Sequence, residues 1–257
     1  MTWWHAVIIL IAGIWSGAIN SVVGSGTLVT FPVLVALGYP PLTATTSNAI
    51  GVAPGSISGA IGYRRELTGF WPQVARLSVA SFFGAICGTI LLLSLPTKAF
   101  ESFLPVLVGL AVALVIVQPK VSRWITKRRE ADGVEETDHR KITPLLLFFT
   151  FLIGIYGGYF TAAQGVLMMA VMGMMLSEPL QRLNGTRNVL SALVNVVAGT
   201  IYALNAPISW PVAAILAVGS TLGGQLGAKI GLKLKPAMLR GVIVVVGVGA
   251  MVQLATK

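Results

Sequence analysis

Apolar residues run through this chain in blocks too long for the core of a soluble domain, and the polar breaks between the blocks recur. In the first half the blocks fall at about 6–37, 43–63, 72–95 and 100–118, and in the second at about 143–176, 187–205, 210–232 and 236–255. Such runs predict membrane-spanning helices, because the strands of a barrel would alternate apolar and polar residues. A helix also satisfies its own backbone polar groups, which lipid cannot do. From Met1 to Tyr63 the chain has no Asp, Glu, Lys or Arg, yet Gly24-Ser25-Gly26 and Pro54-Gly55 interrupt it where a plain anchor would stay regular.

The two halves are related by an internal repeat. Gly26 and Gly165, Trp71-Pro72 and Trp210-Pro211, Gly84 and Gly223, and Gly88 and Gly227 all lie 139 residues apart. Asn48 and Asn188 lie 140 apart, and at that offset Gly51, Gly55 and Gly59 fall on Ser191, Asn195 and Gly199. A repeat at fixed period shows that one unit is used twice. The predicted fold is therefore an all-α polytopic membrane protein of two homologous halves, 1–118 and 143–257. Each half has a broken or re-entrant hairpin followed by three spanning helices, and the whole is one transport domain. The charged connector 119–142 is expected to lack fixed structure.

Block length bears on the hairpins. Residues 6–37 as one helix would be about 48 Å long at 1.5 Å per residue, whereas one crossing needs about 30 Å and two need about 60 Å. Two short helices folding back at Gly24-Ser25-Gly26 fit that length. Block 143–176 has the same character, with its tip near Ala163-Gln164-Gly165.

Positive charge then orients the halves. The connector (Lys120, Arg123, Lys127, Arg128, Arg129, Arg140, Lys141) is basic and belongs on the cytoplasmic side. In half one, Arg64 and Arg65 follow block two. In half two the matching connector, Ala206 to Ser209, is uncharged, and the charge sits instead at Arg182 and Arg187 and at Lys229, Lys233, Lys235 and Arg240. Similar halves with opposite charge bias are what an inverted repeat predicts, with both termini outside. The rival, a parallel repeat with cytoplasmic termini, places the Lys229–Arg240 cluster outside, against the rule.

Composition narrows the class. The 257 residues are 55% hydrophobic and only 10% charged, with a mean hydropathy of +0.85, against roughly a quarter charged in soluble domains. The net charge of +10 reads as a set of topology determinants rather than a nucleic-acid surface, because many of the basic residues sit in connectors. The single Cys87, between Gly84 and Gly88, excludes an internal disulfide framework and reads as a small packing residue. The N-terminal segment lacks a basic n-region and a cleavage site, so it reads as a retained helix.

Candidate chemistry lies at the breaks. Unpaired N–H groups at a helix start attract anions, and glycine lets backbone approach a ligand. Gly24, Ser25, Gly26 and Thr27 form one such tip, and Gln164 and Gly165 the other; the plainer reading is a turn or a close helix contact. Thr46-Ser47-Asn48 and Asn184-Gly185-Thr186-Arg187-Asn188 open the second blocks. Their amides suit an oxyanion, but also an N-cap or an interhelical bond. Arg187 and Arg76 are the basic side chains placed to reach the interior, where ionisable groups are costly and usually functional, though either can snorkel out. The glycine stripes Gly51, Gly55, Gly59 and Gly219, Gly223, Gly227 read as helix packing. Pro54 reads as a kink, Trp71 and Trp210 as interfacial anchors, and the Met168–Met175 methionines as adaptable packing.

All eight acidic residues lie in or beside connectors, which argues against an embedded carboxylate relay. No nucleophile–base pair, metal cluster or phosphate loop stands out. The reading is a non-enzyme without cofactor, partnered by a small anionic substrate and membrane lipid.

The segments GAINSVVGSGTLVTFPVLVALGYPP, TSNAIGVAPGSISGAIGYRREL, IGIYGGYFTAAQGVLMMAVMGMM, LNGTRNVLSALVNVVAGTIYAL and WPVAAILAVGSTLGGQLGAKI resemble the TauE/SafE family. That group is also described as the toluene-sulfonate uptake permeases. The resemblance covers nearly the whole chain, sparing the central connector and the C-terminal helix. It implies a permease of the bacterial inner membrane for small sulfur-containing anions such as sulfite or an organosulfonate. The family's Gly-rich pattern stands here as Gly24-Ser25-Gly26 and is reduced to Gln164-Gly165 in half two, so the two tips are not strictly symmetric.

Together the residues and the resemblance lead to a secondary transporter. Backbone N–H groups of Gly24–Thr27 and Gln164–Gly165 hold the anion near mid-membrane, assisted by Ser47, Asn48, Arg187 and Asn188. A passive anion channel and a carrier of a non-sulfur anion are the alternatives, and a membrane scaffold without transport is a third class.

Overall fold

A computed structural model of the chain describes residues 2–131 and 142–230, together with Gly241. The described residues form helices without strands: α1 (Trp3–Val22), α2 (Thr27–Ala36), α3 (Pro41–Gly62), α4 (Trp71–Ser94), α5 (Thr97–Ala131), α6 (Pro144–Tyr159), α7 (Gln164–Met175), α8 (Leu180–Asn205) and α9 (Trp210–Ile230). A 3-10 turn, Arg64–Leu67, joins α3 to α4. Among the described residues, five helices (α1, α4, α8, α9 and α5 up to Val121) are long and apolar enough to cross a membrane. Their outward faces carry Phe82, Phe83, Ile90, Val106, Leu110, Val218 and Leu222, all exposed. Lipid is the environment in which such faces are stable, so the chain is an integral membrane protein.

Both first blocks break where the glycine-containing tips predict. α1 ends at Val22 and α2 starts at Thr27; α6 ends at Tyr159 and α7 starts at Gln164. The hairpins are unequal, however. α1 has 20 residues and α2 only 10, so the first hairpin is a full-length helix followed by a short return, not two short helices. The return is close, because a Cβ on Gly26 would strike the backbone and side-chain oxygens of Ser16. Gly24 has φ 87° and Ala163 has φ 61°. These two residues are 139 apart in sequence, so the repeat extends to the left-handed backbone that turns the chain at each break.

Three boundaries differ from the expected ones. α8 begins at Leu180, behind the N-cap Pro179, and α3 at Pro41, behind Pro40. Ser47, Asn48, Arg187 and Asn188 are therefore about two turns into their helices and do not cap. Polar residues in the opening turns of α8 conceal its start from an apolar count, whereas a proline at the helix entrance supports it. α5 continues through the first part of the charged connector to Ala131. Its Val-Ser-Arg-Trp-Ile-Thr-Lys-Arg-Arg-Glu-Ala run contains no glycine or proline, and a helix leaving lipid can carry charge on every side. The remainder of the connector and, apart from Gly241, the expected block 236–255, with Lys233, Lys235 and Arg240, lie outside the described residues.

The halves interlock by exchange. α1 packs on α9, and α6 packs on α4. Added Cβ atoms show how close these pairs come: Gly223 would strike the Ile14 carbonyl, Gly219 that of Leu10, Gly84 that of Phe151 and Gly88 that of Ile155. Only glycine permits such an approach. Cys87, between two of these glycines, faces outward and is exposed; it is not the packing residue expected, because Gly84 and Gly88 occupy the contact face and Cys87 lies beyond it. The Gly51, Gly55, Gly59 stripe does pack, against Leu216, Ser220 and Ser21.

α3 and α8 form the centre. Gly199 lies against Ile50, Asn195 bonds Ser56, Asn188 lies by Gly59 and Gly185 by Tyr63. Pro54 sits inside α3 without ending it, and the Ser220 hydroxyl donates to the Gly51 carbonyl at 2.7 Å. Met168 and Met172 are buried in the core, as packing residues. Trp71 and Trp210 are exposed at the starts of α4 and α9.

Gly223→Ala is expected to destabilise the protein by about 1–3 kcal/mol, the usual cost of overpacking. Cys87→Ala should stay within about 0.5 kcal/mol, as outward-facing substitutions do. Unfolding of the two variants in detergent checks both.

Candidate functional site

The two breaks meet. Gly165 N–H donates to the Gly24 carbonyl at 3.1 Å, so the tips of the two hairpins touch through backbone. A Cβ built on Gly24 would stand 2.8 Å from Gly165 Cα and 2.8 Å from Arg187 Nη1, and one on Gly165 would stand 3.1 Å from Arg187 Cδ. Gly24, Gly165 and Arg187 thus form one constellation. Ser25, Thr27 and Gln164 flank it and are buried.

Polar groups around the crossing lack partners. The Ser25, Gly26 and Thr27 amides make no backbone hydrogen bond among the described residues, as expected for the first turn of a helix. Ser25 Oγ and both amide atoms of Gln164 are buried and unpaired, and so are Nε and Nη1 of Arg187. Buried polar atoms are nearly always satisfied, so a concentration of orphans marks a place where a ligand or water belongs. The Gln164 side chain packs directly over Gly157 of α6, which leaves it little freedom to turn away.

Arg187 is fully buried, with a relative exposure of 0%. Its Nη2 donates to the carbonyls of Asn20 at 3.2 Å and Ser21 at 2.7 Å, and Asn188 Nδ2 donates to Ser21 at 3.3 Å. These carbonyls end α1, where the macrodipole favours a cation. One nitrogen of the guanidinium thus anchors the side chain on α1 while the other two remain unpaired. Arg76, the other basic side chain considered, is exposed on α4 and takes no part. Its position in the helix turns it outward, which block length alone does not reveal.

Two further expected residues have internal roles. Asn48 Oδ1 accepts from Thr30 Oγ1 at 2.5 Å, and Asn48 Nδ2 donates to Thr27 Oγ1 at 3.1 Å. It ties α3 to the first turn of α2 and has no amide atom to spare. Ser47 is not at the crossing: its Oγ accepts from Ser209 N–H at 2.9 Å, in the connector before α9. One helical step separates Ser47 from Asn48 by about 100°, enough to send them to different neighbours.

Sequence reasoning missed a second polar cluster beside the crossing. Asn20 Nδ2 and Asn195 Nδ2 both donate to Ser56 Oγ, at 2.9 and 3.2 Å, and Asn195 Oδ1 has no partner. Ser16 and Asn20 were detectable: they lie at i and i+4 on one face of an apolar helix that leads into the break. Glu178 lies in a connector as expected, but it is buried and pairs with Arg182 at 2.6 Å. Among the described residues no group of His, Cys, Asp or Glu is arranged to hold a metal ion.

The fold and the crossing define a class: a polytopic helical membrane protein with interrupted helices facing one another inside the bundle, as in membrane transporters. The profile of the family described as "Sulfite exporter TauE/SafE" matches residues 9–254, and the chain belongs to that family. The match runs through the connector and into the C-terminal segment, further than the sequence resemblance suggested. The chain is 24% identical over 233 residues to the probable membrane transporter protein YfcA of Escherichia coli K12, covering 90% of this chain and 82% of that protein. It is 25% identical over 218 residues to a probable membrane transporter protein of Haemophilus influenzae, covering 84% and 80%. A probable membrane transporter protein, ORF9, of Sinorhizobium is 24% identical over 217 residues, covering 83% and 78%. The protein is a membrane transporter by family.

Asn48 and Gln164 separate stability from ligand binding. Asn48→Ala leaves two threonine hydroxyls without partners and should cost about 1–3 kcal/mol of stability with no ligand present. Gln164→Leu removes an amide that has no internal partner, so stability should hold or rise while ligand binding weakens. Unfolding temperature with and without ligand distinguishes the two outcomes.

Proposed function

We propose that the protein is a secondary transporter for a small sulfur-containing oxyanion, sulfite or an organosulfonate, bound where the two helix breaks cross. The observation that carries this reading is the fully buried Arg187, with Nε and Nη1 unpaired beside the Gly24–Gly165 contact. An interior cation with unused donors is costly unless something anionic completes it. The unpaired amides of Ser25, Gly26 and Thr27, Ser25 Oγ and the Gln164 amide supply further donors. They suit an anion with several oxygens, because each oxygen accepts from a different direction. Asn188 acts beside Arg187 by holding the end of α1, and Asn48 by fixing the start of α2. The sulfur assignment rests on the family's description.

Within this reading the halves form one domain built as an inverted repeat. The contacts between α3 and α8 support it: as residue numbers rise along α3 through Ile50, Ser56, Gly59 and Tyr63, those along α8 fall through Gly199, Asn195, Asn188 and Gly185. The two helices correspond in the repeat yet run antiparallel, the relation an axis in the membrane plane requires. α1 and α9 run parallel instead, with Gly13 by Gly219 and Ala18 by Gly227. Arg64 and Lys229 line one groove, and Arg182 Nε donates to the Glu66 carbonyl at 3.1 Å. These basic residues share one end of the bundle, which positive-inside bias assigns to the cytoplasm. Alternating access then moves one half against the other around the crossing.

Two measurements test the proposal. A thermal-shift panel of sulfite, sulfate, thiosulfate, sulfoacetate and taurine, with carboxylates as controls, should show stabilisation by a sulfur oxyanion. Arg187→Gln should weaken that response by at least about tenfold in apparent affinity, roughly 1.4 kcal/mol; a response to carboxylates alone would overturn the sulfur assignment. In a Cys87→Ala background, a cysteine at Thr68 should be labelled only from the cytoplasmic side and one at Asn205 only from outside. Labelling of both from one side would refute the inverted arrangement.

A further inference from the structure

We infer that the carrier is an exchanger of monovalent anions, one whose site crosses the membrane far more readily loaded than empty; this rests on the anion site proposed above. The inference comes from the charge count around Arg187. Its hydrogen bonds go to two backbone carbonyls, and among the described residues no carboxylate pairs with it. Of the acidic residues that the structure places, Glu66 and Glu101 are exposed, and Glu178 is paired with Arg182.

The repeat does not supply a second charge. The helix entrances Pro40 and Pro179 lie 139 apart, so by helix register Arg187, rather than the Asn188 that the spacing of 140 matched, is the counterpart of Asn48, whose amide atoms engage Thr27 and Thr30. Among the described residues the crossing therefore holds one full positive charge. The end of α1 offsets part of it, since a helix C-terminus carries about half a negative charge. The end of α6 lies in the second break and adds the same again, while the starts of α2 and α7 push the other way by a like amount, so the helix ends roughly cancel.

This count ranks the occluded states. With a monovalent anion bound, the guanidinium is paired inside low dielectric. Empty, it remains buried and uncompensated, which is the expensive condition for an ion. A divalent anion leaves an excess negative charge instead. Since every turnover must pass through an occluded state, the empty return step has the higher barrier, and a second monovalent anion on the far side removes it.

The test uses the full chain in proteoliposomes loaded with labelled methanesulfonate, which is permanently monovalent, with the membrane potential clamped. Efflux into methanesulfonate should exceed efflux into impermeant gluconate by at least about tenfold, a barrier difference of roughly 1.4 kcal/mol. Sulfate outside should not accelerate it. Arg187→Lys, which keeps the charge, should keep the ratio even where the flux falls. Equal efflux into methanesulfonate and gluconate overturns the exchange inference and leaves the site reading standing. Methanesulfonate that neither moves nor raises the unfolding temperature overturns both. Acceleration by sulfate equal to that by methanesulfonate overturns the monovalent assignment.

Discussion

Lipid offers no hydrogen bonds, so a helix interrupted within a membrane must find partners for its freed backbone groups inside the protein. This chain interrupts two helices and brings the interruptions together. One carbonyl, that of Gly24, takes the amide of Gly165, and the end of α1 takes Arg187 and Asn188 from α8. The α2 amides that remain unpaired lie beside unpaired side chains. The same constraint that fixes the breaks in place therefore gathers unpaired buried groups, Arg187 Nε and Nη1 and the Gln164 amide, beside the Gly24–Gly165 contact.

Glycine makes the arrangement reachable. The exchange of partners, α1 on α9 and α6 on α4, depends on Gly84, Gly88, Gly219 and Gly223 standing where any side chain would meet a neighbouring backbone oxygen. Without a hydrophobic drive between helices in lipid, close approach and dispersion contacts do the holding. Each half buries its first helix against the fourth helix of the other. The crossing lies between helices that belong to different halves.

The repeat also shows where symmetry stops. The left-handed backbone is kept at both breaks, as Gly24 and Ala163, because a chain reversal needs it whatever the side chains do. The side chains diverge. Ser25 in one tip stands opposite Gln164 in the other, and Arg187 stands opposite an Asn48 already bonded to α2. Backbone geometry is common to both halves, while charge is confined to one.

Much of this was legible in the residues themselves. Hydropathy revealed the helices, since lipid demands long apolar runs. The spacing of Gly26 with Gly165 and of Trp71 with Trp210 revealed the repeat, and Gly24-Ser25-Gly26 marked a break, because those residues cannot hold a regular helix cheaply. Even the stripes of glycine announced close packing. Other features are set by how helices turn and which neighbours they meet. That Ser47 faces the Ser209 connector while Asn48 faces α2, that Cys87 and Arg76 point outward, and that Asn20, Ser56 and Asn195 share one cluster all depend on helix rotation, which apolar block length does not encode. Arg187 is the clearest case. From its sequence position it can either reach the interior or snorkel from a helix end, and it is a buried cation because α8 begins seven residues earlier and the end of α1 lies within its reach.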